Sequence, residues 1–177
     1  MRKHLIAVPL LAFMLTTLAV PQQDKSQRPS PPGTAEVTLH GKKITIEYGR
    51  PSLRGRKMET LTPDGQVWRT GANEATALAT DADLNIGGAN VPAGKYTIYT
   101  LPSEGTWKLI INKQTGQWGT VYNKDQDLVR VDMQKSETSG LVEQFTISFV
   151  KKGNSDDTAD LVMEWETTRL TVPIKAK

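Results

Sequence analysis

Apolar and polar residues alternate with period two along most of this chain, as they do in strands that bury one face. Val37 and Leu39 alternate with Thr38 and His40, and after Gly41 the apolar set Ile44, Ile46, Tyr48 alternates with Thr45 and Glu47. That spacing predicts a hairpin. Further strands are predicted at about Ala75–Ala79, Leu84–Ile86, Tyr96–Leu101, Trp107–Asn112, Leu128–Met133, Phe145–Val150, Leu161–Trp165 and Leu170–Ile174. Turn formers stand between them at Gly87-Gly88, Pro92-Ala93-Gly94, Pro102 to Gly105 and Gly153 to Asp156, where fixed or permissive backbone angles are needed. No window longer than a turn or two repeats at the helical period. The expected fold is all-β, an antiparallel two-sheet β-sandwich, with a jelly roll as one arrangement of it.

The pattern changes at the N-terminus. Arg2 and Lys3 precede an apolar run from Leu5 to Val20, and small residues at Thr17 and Ala19 suit a signal peptidase. Residues 1–19 are therefore read as a signal peptide, and the mature protein is expected in the periplasm or outside the cell. An uncleaved anchor is the alternative, although a span needs about 20 apolar residues and this run is shorter and contains Pro9. Residues 20–33 (VPQQDKSQRPSPPG) are polar and Pro-rich, which predicts a disordered linker. Residues 34–177 are then a single domain. The chain has no Cys, so it lacks both a lipoprotein acylation site and a disulfide framework. No integral span is expected once the signal is removed.

Charge narrows the partners. The formal charge is +3, of which Arg2 and Lys3 supply two, leaving +1 on the exported part. A near-neutral domain gives no reason to expect nucleic acid, which is met by concentrated Lys and Arg.

Most catalytic patterns are missing. The only histidines are His4 and His40, and neither a Gly-x-Ser-x-Gly elbow, a P-loop nor a dinucleotide fingerprint occurs. Ser148 and Lys151 have Ser-x-x-Lys spacing inside a strand pattern, which reads as chance. Asp81, Asp83, Asn85 and Asn123, Asp125, Asp127 have the spacing of a calcium loop, but each set lacks the Gly and the Glu that complete one. They read as turn formers. No cofactor and no metal is expected.

Two loops hold the candidate chemistry. Gly49 to Arg56 presents Arg50, Arg54 and Arg56 on a segment shaped by Pro51 and two glycines, and guanidinium forks suit carboxylate, phosphate or sulfate. Trp68 to Glu74 brings an indole, Arg69, Asn73 and Glu74 within seven positions, a mix suited to a sugar or a peptide end. The competing interpretation is internal: Arg69 pairs with Glu74, Trp68 fills the core, and Arg50 or Arg56 caps loop carbonyls. Trp118 and Tyr122 form a second aromatic loop that would add stacking surfaces if it lay beside the first pair.

The strings YGRPSLRGR, VWRTGANEAT and VPAGKYTIYTLP, the Gln117-Trp118-Gly119 loop and the terminal LVMEWETTRLTVPI resemble the exported bacterial family known as domain of unknown function 2911. The likeness covers about Thr34 to Ile174. It implies an exported bacterial domain with no assigned reaction, and it carries over no catalytic residue.

The functional expectation is a non-catalytic binding module for a polar ligand, glycan-like or anionic, using Arg50, Arg54, Arg56, Trp68, Arg69, Asn73, Glu74, Trp118 and Tyr122. One alternative is an envelope polysaccharide hydrolase with Glu74 paired to Asp125, Asp127 or Glu47, since such enzymes need two carboxyl groups across the scissile bond. Another is an envelope scaffold whose loops lock its sheets or dock on a neighbour. Oligomeric state and ligand identity are left open.

Overall fold

The alternation becomes two antiparallel sheets in the computed structural model, which describes residues 24–177. In chain order the strands are β1 (Pro32–Leu39), β2 (Lys42–Gly49), β3 (Thr76–Thr80), β4 (Leu84–Ile86), β5 (Ala89–Val91), β6 (Gly94–Leu101), β7 (Lys108–Asn112), β8 (Asp127–Asp132), β9 (Gln134–Lys151) and β10 (Thr158–Ala176). A single helical turn, α1 (Met58–Leu61), interrupts the long β2–β3 connection. The first sheet has the order β1-β2-β3-β6-β7-β8 and the second β5-β4-β10-β9. This is an open, sandwich-like pair of sheets. Neighbours in the first sheet follow one another in sequence except where the β4–β5 hairpin leaves for the second, so the connectivity is a meander with one excursion rather than the interleaved keys of a jelly roll.

The predicted hairpin forms with Val37 opposite Ile44, and its turn residues His40 and Gly41 both have positive φ, 48° and 70°. Two-residue turns of that hand match the twist of the flanking strands. Inward positions close the core: Leu39, Ile44, Ile46, Leu78, Ile98, Leu109 and Ile111 from the first sheet meet Leu84, Ile86, Phe145, Ile147, Leu161, Met163 and Ile174 from the second. Each fully buried aliphatic contributes about 1.5–3 kcal/mol. This core positions the loops at its edge.

Three features depart from the predicted elements. Leu161–Trp165 and Leu170–Ile174 belong to one strand, β10, and the polar stretch between them is a bulged region where β9 holds extra residues and Glu166 takes φ 55°. Bulges bend a strand without ending it. The first part of β9 and all of β5 carry no clear alternation, the former because most of Gln134–Glu143 is exposed. Thirdly, the expected boundary at Thr34 falls inside β1, and residues 24–31 are not a free tether. Arg54 donates to Pro29 O, Asn73 to Ser30 O and the Arg50 backbone N–H to Pro31 O, at 2.9, 2.9 and 2.8 Å. A segment too polar to bury itself is held here by hydrogen bonds instead.

The expected signal peptide and residues 20–23 lie outside the described residues. Among the described residues no helix is long and apolar enough to cross a membrane.

Candidate functional site

The loop after β2 closes on itself because its guanidinium groups find carbonyls nearby. Arg50 donates from Nε to Phe145 O at 3.3 Å and from Nη2 to the Thr146 hydroxyl at 3.0 Å. Arg56 donates to Leu53 O and Ser52 O at 2.9 and 3.1 Å. Arg54 reaches Pro29 O, and its backbone N–H meets Glu143 Oε1 at 2.8 Å. All three arginines are engaged within the chain.

The second loop interlocks with the first. A Cβ at Gly49 would stand 2.1 Å from Ala72 O, and one at Gly71 would stand 2.9 Å from Gly49 O. Only glycine lets two backbones approach so closely. Trp68 turns inward, stacking on Trp165 at 5.5 Å and meeting Phe145 edge-on at 5.0 Å. Its backbone pairs with Thr100, while Thr70 is fully buried and donates its hydroxyl to the Thr100 hydroxyl at 3.2 Å. Arg69 donates from Nε to Gly71 O at 3.1 Å. Arg50, Arg54, Arg56, Trp68 and Arg69, expected among the ligand-binding residues, are therefore held by carbonyls, a hydroxyl and aromatic partners within the chain. The expected Arg69–Glu74 pair is replaced as well.

The segment between β7 and β8 crosses the outer face of the first sheet and buries Thr97 and Tyr99 there. Gln114 O accepts from the Thr97 hydroxyl at 2.7 Å, Val121 O from the Tyr99 hydroxyl at 2.8 Å and Asn123 O from Asn112 Nδ2 at 2.8 Å. Tyr122 belongs to this strap and not to the loop pair. Its hydroxyl lies 2.7 Å from Asp127 Oδ2 and 2.7 Å from Arg130 Nη2, and its ring meets Tyr99 edge-on at 4.9 Å. Burial first, and then the Asp127 carboxylate, push the Tyr122 hydroxyl up to about 12. It stays protonated at any physiological pH. The supposed calcium-loop residues cap turns: Asp83 accepts from Ala93 N, Asn85 from Gly88 N and Asn123 from Asp125 N.

Trp118 does join the second loop. It bridges Glu74 in antiparallel fashion, Gln117 O accepts from Ala75 N at 3.1 Å, and Asn73 O accepts from Gly119 N at 3.0 Å. Trp118 is 49% exposed, unusual for so large an apolar side chain.

Beside this junction the small residues Gly33, Gly49, Ala75 and Ala77 line a groove of about 420 Å³ on the outer side of β1–β3. Its charged and amide lining is Lys25 and Arg28 from the N-terminal segment, Glu47 from β2, Asn73 and Glu74 from the second loop, and Gln117 from the strap. Of the residues predicted from sequence, Asn73 and Glu74 face this groove and Trp118 stands next to it; Arg50, Arg54, Arg56, Trp68, Arg69 and Tyr122 do not line it. Lys25, Arg28 and Gln117 were not anticipated as site residues. The two basic residues stand in a stretch that composition marks as linker, and no sequence signal pointed to them, since Arg69 lies in the same loop as Glu74 and offered a nearer basic partner.

Glu74 is the electrostatic centre of the groove. Arg28 Nη1 donates to both carboxylate oxygens at 2.9 and 2.8 Å, and Lys25 Nζ stands 3.2 Å from Oε1. Its own backbone N–H, with further help from Arg28 and Lys25, lowers the carboxyl to about 2 against a smaller opposing effect of burial. A carboxylate held ionised in this way cannot deliver a proton to a leaving group near neutral pH. Of its expected partners, Asp127 is bound by Tyr122, Arg130 and Asn112, and Glu47 is the one that lines the groove. The chemistry best served is hydrogen bonding to hydroxyl and amide groups, with charges of both signs at the wall.

A family model described as protein of unknown function (DUF2911) matches residues 30–174, starting at the residue whose carbonyl Asn73 holds. No curated protein and no solved structure matches the chain.

Proposed function

The chain belongs to the DUF2911 family of proteins of unknown function, and on that footing we propose that it is an exported binding module whose groove takes a polar, hydroxyl-rich ligand of glycan type. Export is supported by the basic-then-apolar N-terminus. The observation that carries the ligand reading is the groove itself: a floor of small residues admits a ring, and the carboxylates of Glu47 and Glu74 stand on its wall as acceptors beside Asn73 and Gln117, whose amide groups hold Ser30 O and the Thr97 and Tyr99 hydroxyls. The charges of Lys25 and Arg28 are balanced by Glu47 and Glu74, so the wall favours neutral hydroxyl groups over a free anion. The half-exposed indole of Trp118 beside Glu74 supplies a face on which a sugar ring can stack.

A calorimetric titration against neutral and acidic envelope oligosaccharides tests this. Ala77 is exposed on β3 and lines the groove, so Ala77→Trp should fill the space and lose binding by about tenfold or more while changing stability by less than about 0.5 kcal/mol. If no oligosaccharide binds the parent, or if Ala77→Trp binds equally well, the groove is not the site.

A further inference from the structure

Residues 25–31 are bound to the domain in the manner of a peptide ligand. Asp24 accepts from Ser26 N at 2.9 Å and starts a 3₁₀ turn over Lys25–Gln27. Three residues per turn put side chains three apart on one side, and so Lys25 and Arg28 both reach Glu74. Past that turn the Pro-rich stretch is extended, and its successive carbonyls at Pro29, Ser30 and Pro31 accept from Arg54 Nη2, Asn73 Nδ2 and the Arg50 backbone N–H. The last of these continues the β1–β2 ladder, whereas the first two come from side chains of the two interlocked loops. Main-chain carbonyls taken by fixed donors, plus basic side chains taken by one carboxylate, are the elements by which proteins read extended peptides.

We propose that Arg54, Asn73 and Glu74 form a peptide-binding cradle, that its ligand is an extended segment with two basic residues three apart followed by proline, and that residues 25–31 are its resident occupant in cis. This extends beyond the groove reading and does not depend on it, since the cradle holds main chain and basic side chains irrespective of what fills the groove. Proline suits the role because a prearranged extended chain loses little entropy on docking. The tethered segment has the advantage of effective concentration, in the millimolar range for a short linker, so a peptide in trans is excluded until the occupant is weakened.

The test uses the whole mature chain carrying Lys25→Glu and Arg28→Glu, which sets two carboxylates against Glu74 and expels the occupant. A fluorescein-labelled peptide with the sequence of residues 24–32 is then titrated and followed by anisotropy. The double variant should bind it about tenfold or more tightly than the parent chain does, adding Glu74→Lys should abolish binding, and a peptide with alanine at both basic positions should not bind. Equal binding by a natively melting double variant and the parent would overturn the proposal, leaving residues 25–31 a fixed strap. Should the double variant not fold, Ser26→Cys in the otherwise unchanged chain gives a unique labelling site, because no other Cys is present. Millimolar peptide should then free the label, and an unchanged label mobility would overturn the proposal in that format.

Discussion

The two Gly-punctuated loops look alike in sequence and do opposite things in the structure. The Gly49–Arg56 loop turns its three guanidinium groups onto carbonyls at Ser52, Leu53, Pro29 and Phe145, whereas the Trp68–Glu74 loop packs its half-buried indole against the core, buries its Thr and leaves Asn73 and Glu74 facing the groove. What separates them is where the nearest acceptors lie. An arginine that meets unsatisfied loop carbonyls is captured by them, while Glu74, an acceptor with no donor in its own loop except its backbone N–H, is met from a different part of the chain by Lys25 and Arg28. Residue type alone would have ranked the arginine loop first. Local satisfaction of backbone groups reverses the order.

The largest effect is expected at the point where the loops touch. Gly49→Val puts a side chain within 2.1 Å of Ala72 O and 2.8 Å of its carbonyl carbon. Neither backbone can retreat without losing the flanking ladder, so the expected outcome exceeds about 4 kcal/mol and no native protein is recovered. Circular dichroism of the purified variant checks this. A variant that folds with unchanged stability would mean the interlock is loose and the two loops are independent.

Next in size is the contrast between two tryptophans. Trp68 is packed on Trp165 and Phe145, and Trp68→Ala should cost about 3–5 kcal/mol in urea denaturation. Trp118, 49% exposed, should change stability by less than about 0.5 kcal/mol on truncation to Ala, with its effect appearing in ligand affinity instead. Comparable losses at both positions would remove the distinction between a core indole and a surface one.

The sheets were legible because alternation survives wherever one face of a strand is buried: Val37, Leu39, Ile44 and Ile46 could be placed from spacing alone. Legibility ends where that condition fails. Most of Gln134–Glu143 in β9 is exposed, and that part of the strand could not be placed. The β6 strand was legible as Tyr96–Leu101, but the burial of its outer face was not, because the strap encloses Thr97 and Tyr99 there as fully as the core encloses Ile98. The candidate site was half legible. Asn73, Glu74 and Trp118 could be singled out as polar or aromatic residues in a loop, but the partners of Glu74 lie in a segment 46 residues away that composition marks as linker. Composition measures the ability to bury apolar surface. It is blind to a segment docked through its carbonyls and two basic side chains.

The smallest effect sharpens the role of Glu74 itself. Its carboxyl is held at about 2 in the folded protein, below the usual carboxylate range, chiefly by its own backbone N–H and then by Arg28 and Lys25. A depressed folded value means stabilisation that is present above the unfolded value and lost as pH falls through the folded one, so the window runs from about 4.5 down to about 2. Since the side chain is 47% exposed, solvent screens the pairs and the effect should stay within about 0 to 1 kcal/mol. Glu74→Gln should flatten the acid limb of the stability profile over that window while leaving the profile from pH 6 to pH 8 nearly parallel to the parent, and 0.5 M salt should shrink the difference. An acid limb identical in parent and variant would show that Lys25 and Arg28 rest beside Glu74 without being held by it, and the N-terminal segment would then depend on its carbonyl contacts alone.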